Sequence, residues 1–169
     1  GDFTYTEDAA ITGLPEEVED HETMEWAWAD YDNDGDMDVY VSGMPNWFTG
    51  DTDSGSEGLY QNDGTGAFTN VTDAGLLVEI DATGAAWGDY DNDGFLDLAL
   101  AGGYGIPKLY RNNGDGTFTN TAQNEGLHLS GALNGTVGFF DADNDGDLDL
   151  VTNRGTAVSQ MWENSLDDS

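Results

Sequence analysis

At 169 residues the chain is long enough for one domain with its own core. Its 35 acidic residues against 3 basic ones give a formal charge of −32, a field that repels DNA, RNA and anionic membranes, so no nucleic-acid partner is expected. There is no cysteine to staple the fold, and no run approaches 18 apolar residues, so no membrane insertion is expected.

Such charge also marks disordered chains. Five Trp, seven Tyr and seven Phe, many of them at recurring positions, argue instead for a packed core. The chain begins at Gly1 rather than Met and shows no signal-peptide pattern, which suggests a processed product.

In chain order, Gly1-Asp-Phe-Thr-Tyr-Thr6 followed by Ala10-Ile-Thr-Gly-Leu14 reads as a strand and its exit. An aromatic strand, Trp26-Ala-Trp28, then leads into an acidic loop, Asp30-Tyr-Asp-Asn-Asp-Gly-Asp-Met-Asp38, and a strand at Met37–Val41. A third strand, Gly58-Leu-Tyr-Gln-Asn62, and a turn with a fourth strand, Gly64–Thr72, complete the unit. The pattern returns with Ala86-Trp87-Gly88, loop Asp89–Asp97, and strands at Leu96–Leu100, Lys108–Asn112 and Gly114–Thr121. It returns again with Gly138-Phe139-Phe140, loop Asp141–Asp149, and strands at Leu148–Val151 and Gln160–Asn164. The runs are short, β-branched or aromatic, and bounded by Gly, Asn and Asp. Asp63-Gly64 and Asn113-Gly114 mark hairpins. No segment has sustained helical periodicity.

Each loop reads D-x-D-x-D-G-x-x-D. Side chains of Asp30, Asp32, Asp34 and Asp38 would repel one another in an empty loop, as would Asp89, Asp91, Asp93 and Asp97, and Asp141, Asp143, Asp145 and Asp149. A hard dication removes that repulsion. Ca²⁺ takes six to eight oxygens at flexible geometry, and a glycine at position 6 permits the sharp turn. Three Ca²⁺ sites are therefore expected. An EF-hand does not fit, because its bidentate Glu at position 12 is here Val41, Leu100 or Thr152, and no helices flank the loops.

Four strands in roughly 50 residues make one propeller blade. The expected fold is all-β, with three four-stranded β-propeller-type blades in a single repeat domain over 1–169: 26–76, 85–127 and 137–164. The last blade lacks a fourth strand, and residues 1–14 carry one. Natural propellers typically have four to eight blades. A three-bladed ring is therefore disfavoured against completion of the last blade by a neighbouring chain. That contact is head to tail and generates rings or filaments. The alternative is a fragment of a longer propeller. The first unit also carries a longer segment between its second and third strands, around Trp47-Phe48, either a tolerated loop expansion or a binding loop.

These loops, with the following L-Y-x-N-x-G-x-G-x-F run, resemble the FG-GAP/VCBS repeat family, the blades of integrin α-subunit propellers and many bacterial surface proteins. The resemblance covers nearly the whole chain. It implies that each loop joins the first two strands of a blade and holds Ca²⁺ through positions 1, 3, 5 and 9, with a backbone carbonyl at position 7. Position 7 is Asp36, Phe95 or Asp147, and Phe95 has no side-chain oxygen to offer. Family propellers usually carry seven blades, against three here.

No nucleophile–base pair is visible, and the chain is not expected to be an enzyme. The two histidines, His21 and His128, lack the spacing of a zinc-protease helix. Asn70-Val-Thr72 and Asn134-Gly-Thr136 are candidate glycosylation sequons, with Asn70 and Asn134 as acceptors. Weak calcium loops suit an extracellular or cell-surface location. The first functional expectation is a calcium-binding structural or adhesive protein that self-assembles into a homo-oligomer or filament. The alternatives are a protein- or glycan-binding module and, last, part of a polysaccharide-active enzyme.

Overall fold

The computed structural model describes residues 11–15, 24–43, 57–76, 82–102, 107–127, 135–153 and 159–166. The expected N-terminal strand, Trp47-Phe48, His21, His128 and Asn134 lie outside these residues. Among the described residues the protein is all-β, in three antiparallel sheets. The first contains β1 (Met24–Ala29), β2 (Asp38–Gly43), β3 (Gly58–Asn62) and β4 (Phe68–Asn70) in that order. The second repeats it with β5 (Ala82–Gly88), β6 (Asp97–Gly102), β7 (Lys108–Asn112) and β8 (Phe118–Asn120). The third has β9 (Val137–Phe140), β10 (Asp149–Thr152) and β11 (Gln160–Trp162).

Each strand expected within the described residues has its counterpart. The largest difference is β5, which starts at Ala82 through a register shift between Ala82 and Gly84. Gly and Ala there give no hydrophobic alternation to read. Registers repeat between sheets: Trp28 faces Val39, Trp87 faces Leu98 and Phe139 faces Leu150. Each acidic loop thus joins the first two strands of its sheet.

The period of two along each strand divides its side chains between two faces. In β2, Val39 and Val41 pack with Tyr60, Phe68, Trp26 and Leu14. Tyr40 points the other way and joins Leu59 in a cluster with Leu98, Leu100, Tyr110 and Phe118 of the second sheet. The second sheet's opposite face, through Ala99 and Leu109, packs against Leu150, Phe139 and Trp162 of the third. The second sheet is therefore sandwiched between the other two, with β5 lying against both β1 and β9.

Candidate metal centres

The three loops share one backbone. Position 4 is left-handed in each, with φ of 60° at Asn33, 57° at Asn92 and 64° at Asn144. Position 6 is left-handed too, at Gly35, Gly94 and Gly146. Asn tolerates this region better than other non-glycine residues. The path wraps the chain around the carboxylates. The position-1 aspartates Asp30, Asp89 and Asp141 accept the glycine N–H at 3.0, 2.9 and 3.2 Å. The position-5 aspartates Asp34, Asp93 and Asp145 each accept the position-7 N–H at 2.9 Å.

Position 9 is a backbone clamp. Asp38, Asp97 and Asp149 are fully buried. One oxygen of each accepts the N–H of the third-strand asparagine (Asn62, Asn112 or Asn164) at 2.8 Å. The other accepts the N–H of loop position 2 at 3.3, 3.0 and 2.8 Å. Burial pushes the Asp38 carboxyl up to about 6 and the Asp97 carboxyl up to about 7, against the opposing pull of these backbone donors. Burial also raises Asp91, with the charge of Asp93 adding to it.

The structure brings together carboxylate oxygens of Asp30, Asp32 and Asp38, of Asp89, Asp91 and Asp97, and of Asp141, Asp143 and Asp145, each set within 4.8 Å. It does not bring the side chains of Asp34, Asp93 or Asp149 into these sets. Position 7 turns its side chain elsewhere. A Cβ on Gly64 would strike Asp36, and one on Gly114 would strike the Phe95 ring. Asp147 points at the second loop, where its Oδ1 accepts from Asn92 Nδ2 at 2.7 Å.

These donors fit a hard cation. All are oxygens, the preferred ligands of Ca²⁺. Asp30 Oδ1 is buried without a hydrogen-bond partner, a costly arrangement that a cation at the loop centre relieves. When bound, the ion supplies charge neutralisation; the residues supply the cage.

Three features were not read from the sequence. Gln61 Nε2 donates to Asp32 Oδ2 at 2.6 Å, reaching the first loop from β3. Asn112 Nδ2 donates to Leu96 O and, across sheets, to Tyr31 O at 2.8 Å. Asn164 does the same to Leu148 O and Tyr90 O, the latter at 2.7 Å. The recurring asparagine at loop position 4 and at the end of the third strand was the available signal.

A family model described as FG-GAP-like repeat matches residues 43–100 and 89–152. The chain belongs to the FG-GAP-like repeat family. The matches overlap on the second loop, and the third lies within the later one. The first loop lies outside both, and its place in the series rests on the shared backbone and clamp. No curated protein matches the chain.

Proposed function

We propose that the chain is a calcium-stabilised, extracellular structural or adhesive module whose three sheets are propeller-type blades. The observation that carries this reading is the threefold recurrence of one loop conformation that gathers three carboxylates and leaves the Asp30 oxygen unpartnered. Calcium in this reading is structural. Each ion sits at the turn joining the first two strands of a sheet. By neutralising the loop, it ties metal binding to folding.

The acidic surface supports an outside location, where calcium is plentiful and weak loops with Kd of about 10⁻⁴–10⁻³ M still fill. Asn70 is exposed at the end of β4, accessible as a glycosylation acceptor. The module acts by assembly: copies join head to tail, one chain's N-terminal strand completing its neighbour's last blade. Calorimetric titration of chelated protein is expected to give three Ca²⁺ per chain, with fewer after Asp91→Asn. A titration with no heat and no change in melting temperature overturns the reading.

A further inference from the structure

The junctions inside the molecule define what each of its outer faces would accept. Between the first and second sheets, the Tyr31 ring lies 6.3 Å from Trp87 and 5.9 Å from Phe118. Trp87 Nε1 donates to Ala27 O at 3.0 Å, and Asn112 Nδ2 to Tyr31 O. The exit of the fourth strand crosses over: Phe118 N donates to Ala74 O at 2.7 Å, and Gly75 presses on the Phe118 carbonyl.

The second junction repeats part of this. Asn164 holds Tyr90 O, but among the described residues β11 pairs only with β10. Where Phe118 sits in the first junction, the second has a cavity of about 180 Å³, lined by Tyr90, Leu127, Phe139, Leu150, Trp162 and Asn164. Beside it, Gly126 matches Gly75 in φ (73° against 76°), yet a Cβ there would meet nothing within 4 Å. The exit is formed and the strand it should press on is not among the described residues.

The opposite end carries the complement. Phe68 N donates to Thr12 O at 2.8 Å, Gly13 presses on the Phe68 carbonyl, and Leu14 packs with Val39 and Phe68. This is the Ala74–Leu76 arrangement: residues 11–14 take the place on the first sheet that the exit of β4 takes on the second. Gly1–Thr6 precede them, with Phe3-Thr4 matching Phe68-Thr69 and Phe118-Thr119. The faces also match. Trp28 is 44% exposed at the front, while Phe140 (40%) and Met161 (52%) are exposed at the back. The front offers the indole N–H of Trp28 and an amide N–H of Asn62, whose Nδ2 among the described residues donates to Met37 O alone. Their internal counterparts, Trp87 and Asn112, bond Ala27 O and Tyr31 O; the back offers Gly138 O and Ala142 O in those places. Bulk is exchanged as well: inside, Tyr31 packs in one cluster with Ala85, whereas at the ends the corresponding residues are Ala142 and Trp26.

We propose that the back of the third sheet receives the front of a second copy of this chain. The copy inserts Phe3 into the cavity, pairs Gly1–Thr6 with β11, and donates from Trp28 and Asn62 to Gly138 O and Ala142 O. The proposal rests on reading the chain as a self-assembling repeat module and assigns the contact. The occupant is a second copy because residues 11–14 pack on the first-sheet face turned away from the second sheet. The chain's own third sheet lies beyond the second and leaves Trp28 exposed.

The absence of native cysteine makes a cross-linking test clean. By the Arg111↔Thr119 pairing of β7 and β8, Thr4 should face Glu163 on the exposed side. Thr4→Cys and Glu163→Cys proteins, mixed in millimolar-range calcium with oxidised glutathione, are expected to form a disulfide-linked pair of chains. Thr4→Cys with Thr119→Cys, where β8 already occupies the edge, is expected to stay at background. Light scattering of the unmodified chain is expected to give a multiple of 18.1 kDa, returning to one chain in Phe3→Asp with its calcium stoichiometry unchanged. Equal cross-linking of both mixtures overturns the proposal, as does a Thr4/Glu163 double variant that closes only within one chain. A monomer that still binds calcium overturns this contact alone, and one that binds none overturns the reading beneath it.

Discussion

The first two acidic loops and the third carry the same motif in different surroundings. In the first two, the gathered carboxylates come from positions 1, 3 and 9, half-buried at 1 and 3 and buried at 9. In the third they come from positions 1, 3 and 5, all exposed. Local structure does not account for this, since the left-handed Asn, the Gly and the position-9 clamp recur in all three. The difference lies on the far side of the loop. The second sheet covers Tyr31 and the third covers Tyr90, whereas Ala142 is exposed. In this chain each repeat finishes its predecessor's loop, as expected of units that cannot bury a face alone.

The largest effect that tests the contrast is calcium removal. A site held at a hundred times its Kd adds about 2.7 kcal/mol to folding stability, so chelation should lower the melting temperature steeply. Within that loss, Asp91→Asn should remove more of the calcium-dependent increment than Asp143→Asn, because its loop is the better covered. Equal losses would break the comparison. The chelated protein should also respond to acid. Asp38 and Asp97 have folded values of about 6 and 7, above the unfolded value of about 3.9. Between those limits the folded state binds more protons than the unfolded one. Their favourable contribution is full below pH 4 and lost as pH rises through 6 to 7. Melting of chelated protein at pH 5 and pH 8 checks the sign, with the higher temperature expected at pH 5. Calcium competes with these protons, so its increment should shrink over the same descent.

A smaller effect separates the bridging asparagines. Asn112 is buried and bonds across sheets to Tyr31 O; Asn62 stays within its own sheet. Asn112→Ala should cost about 1–3 kcal/mol by leaving buried groups unpaired. Asn62→Ala should cost less in the monomer. Denaturant midpoints at a calcium concentration that keeps the chain monomeric compare them directly, and equal costs would deny the cross-sheet bond its role.

Much of this was legible in sequence because the repeat writes itself three times. The loops and the strands that flank them followed from aligning 30–38, 89–97 and 141–149. What stayed hidden depends on neighbours. Asp38 and Asp34 read as equal ligands, yet one is a buried clamp on two backbone N–H groups and the other an exposed turn residue. Asn112 and Asn62 occupy the same motif position, and only the stacking of sheets distinguishes them. The start of β5 was missed because Ala82 to Ala86 carries no alternation, and tertiary pairing with β6 decides it.

The smallest effect is the most discriminating. Gly75 and Gly126 have nearly the same φ, so an alanine at either suffers the left-handed penalty of about 1–2 kcal/mol. At Gly75 the added Cβ would also lie 2.7 Å from the Phe118 carbonyl, a backbone atom that cannot turn aside. At Gly126 it enters open space. In the monomer, Gly126→Ala should therefore cost only the dihedral penalty, and Gly75→Ala distinctly more, read from paired melting curves. In conditions that favour assembly, Gly126→Ala should also weaken the association of chains, because its Cβ would then meet the incoming Phe3 backbone as Gly75 meets that of Phe118. A Gly126→Ala protein that assembles as well as the parent would mean that the third sheet does not receive a fourth strand in the way the second sheet does.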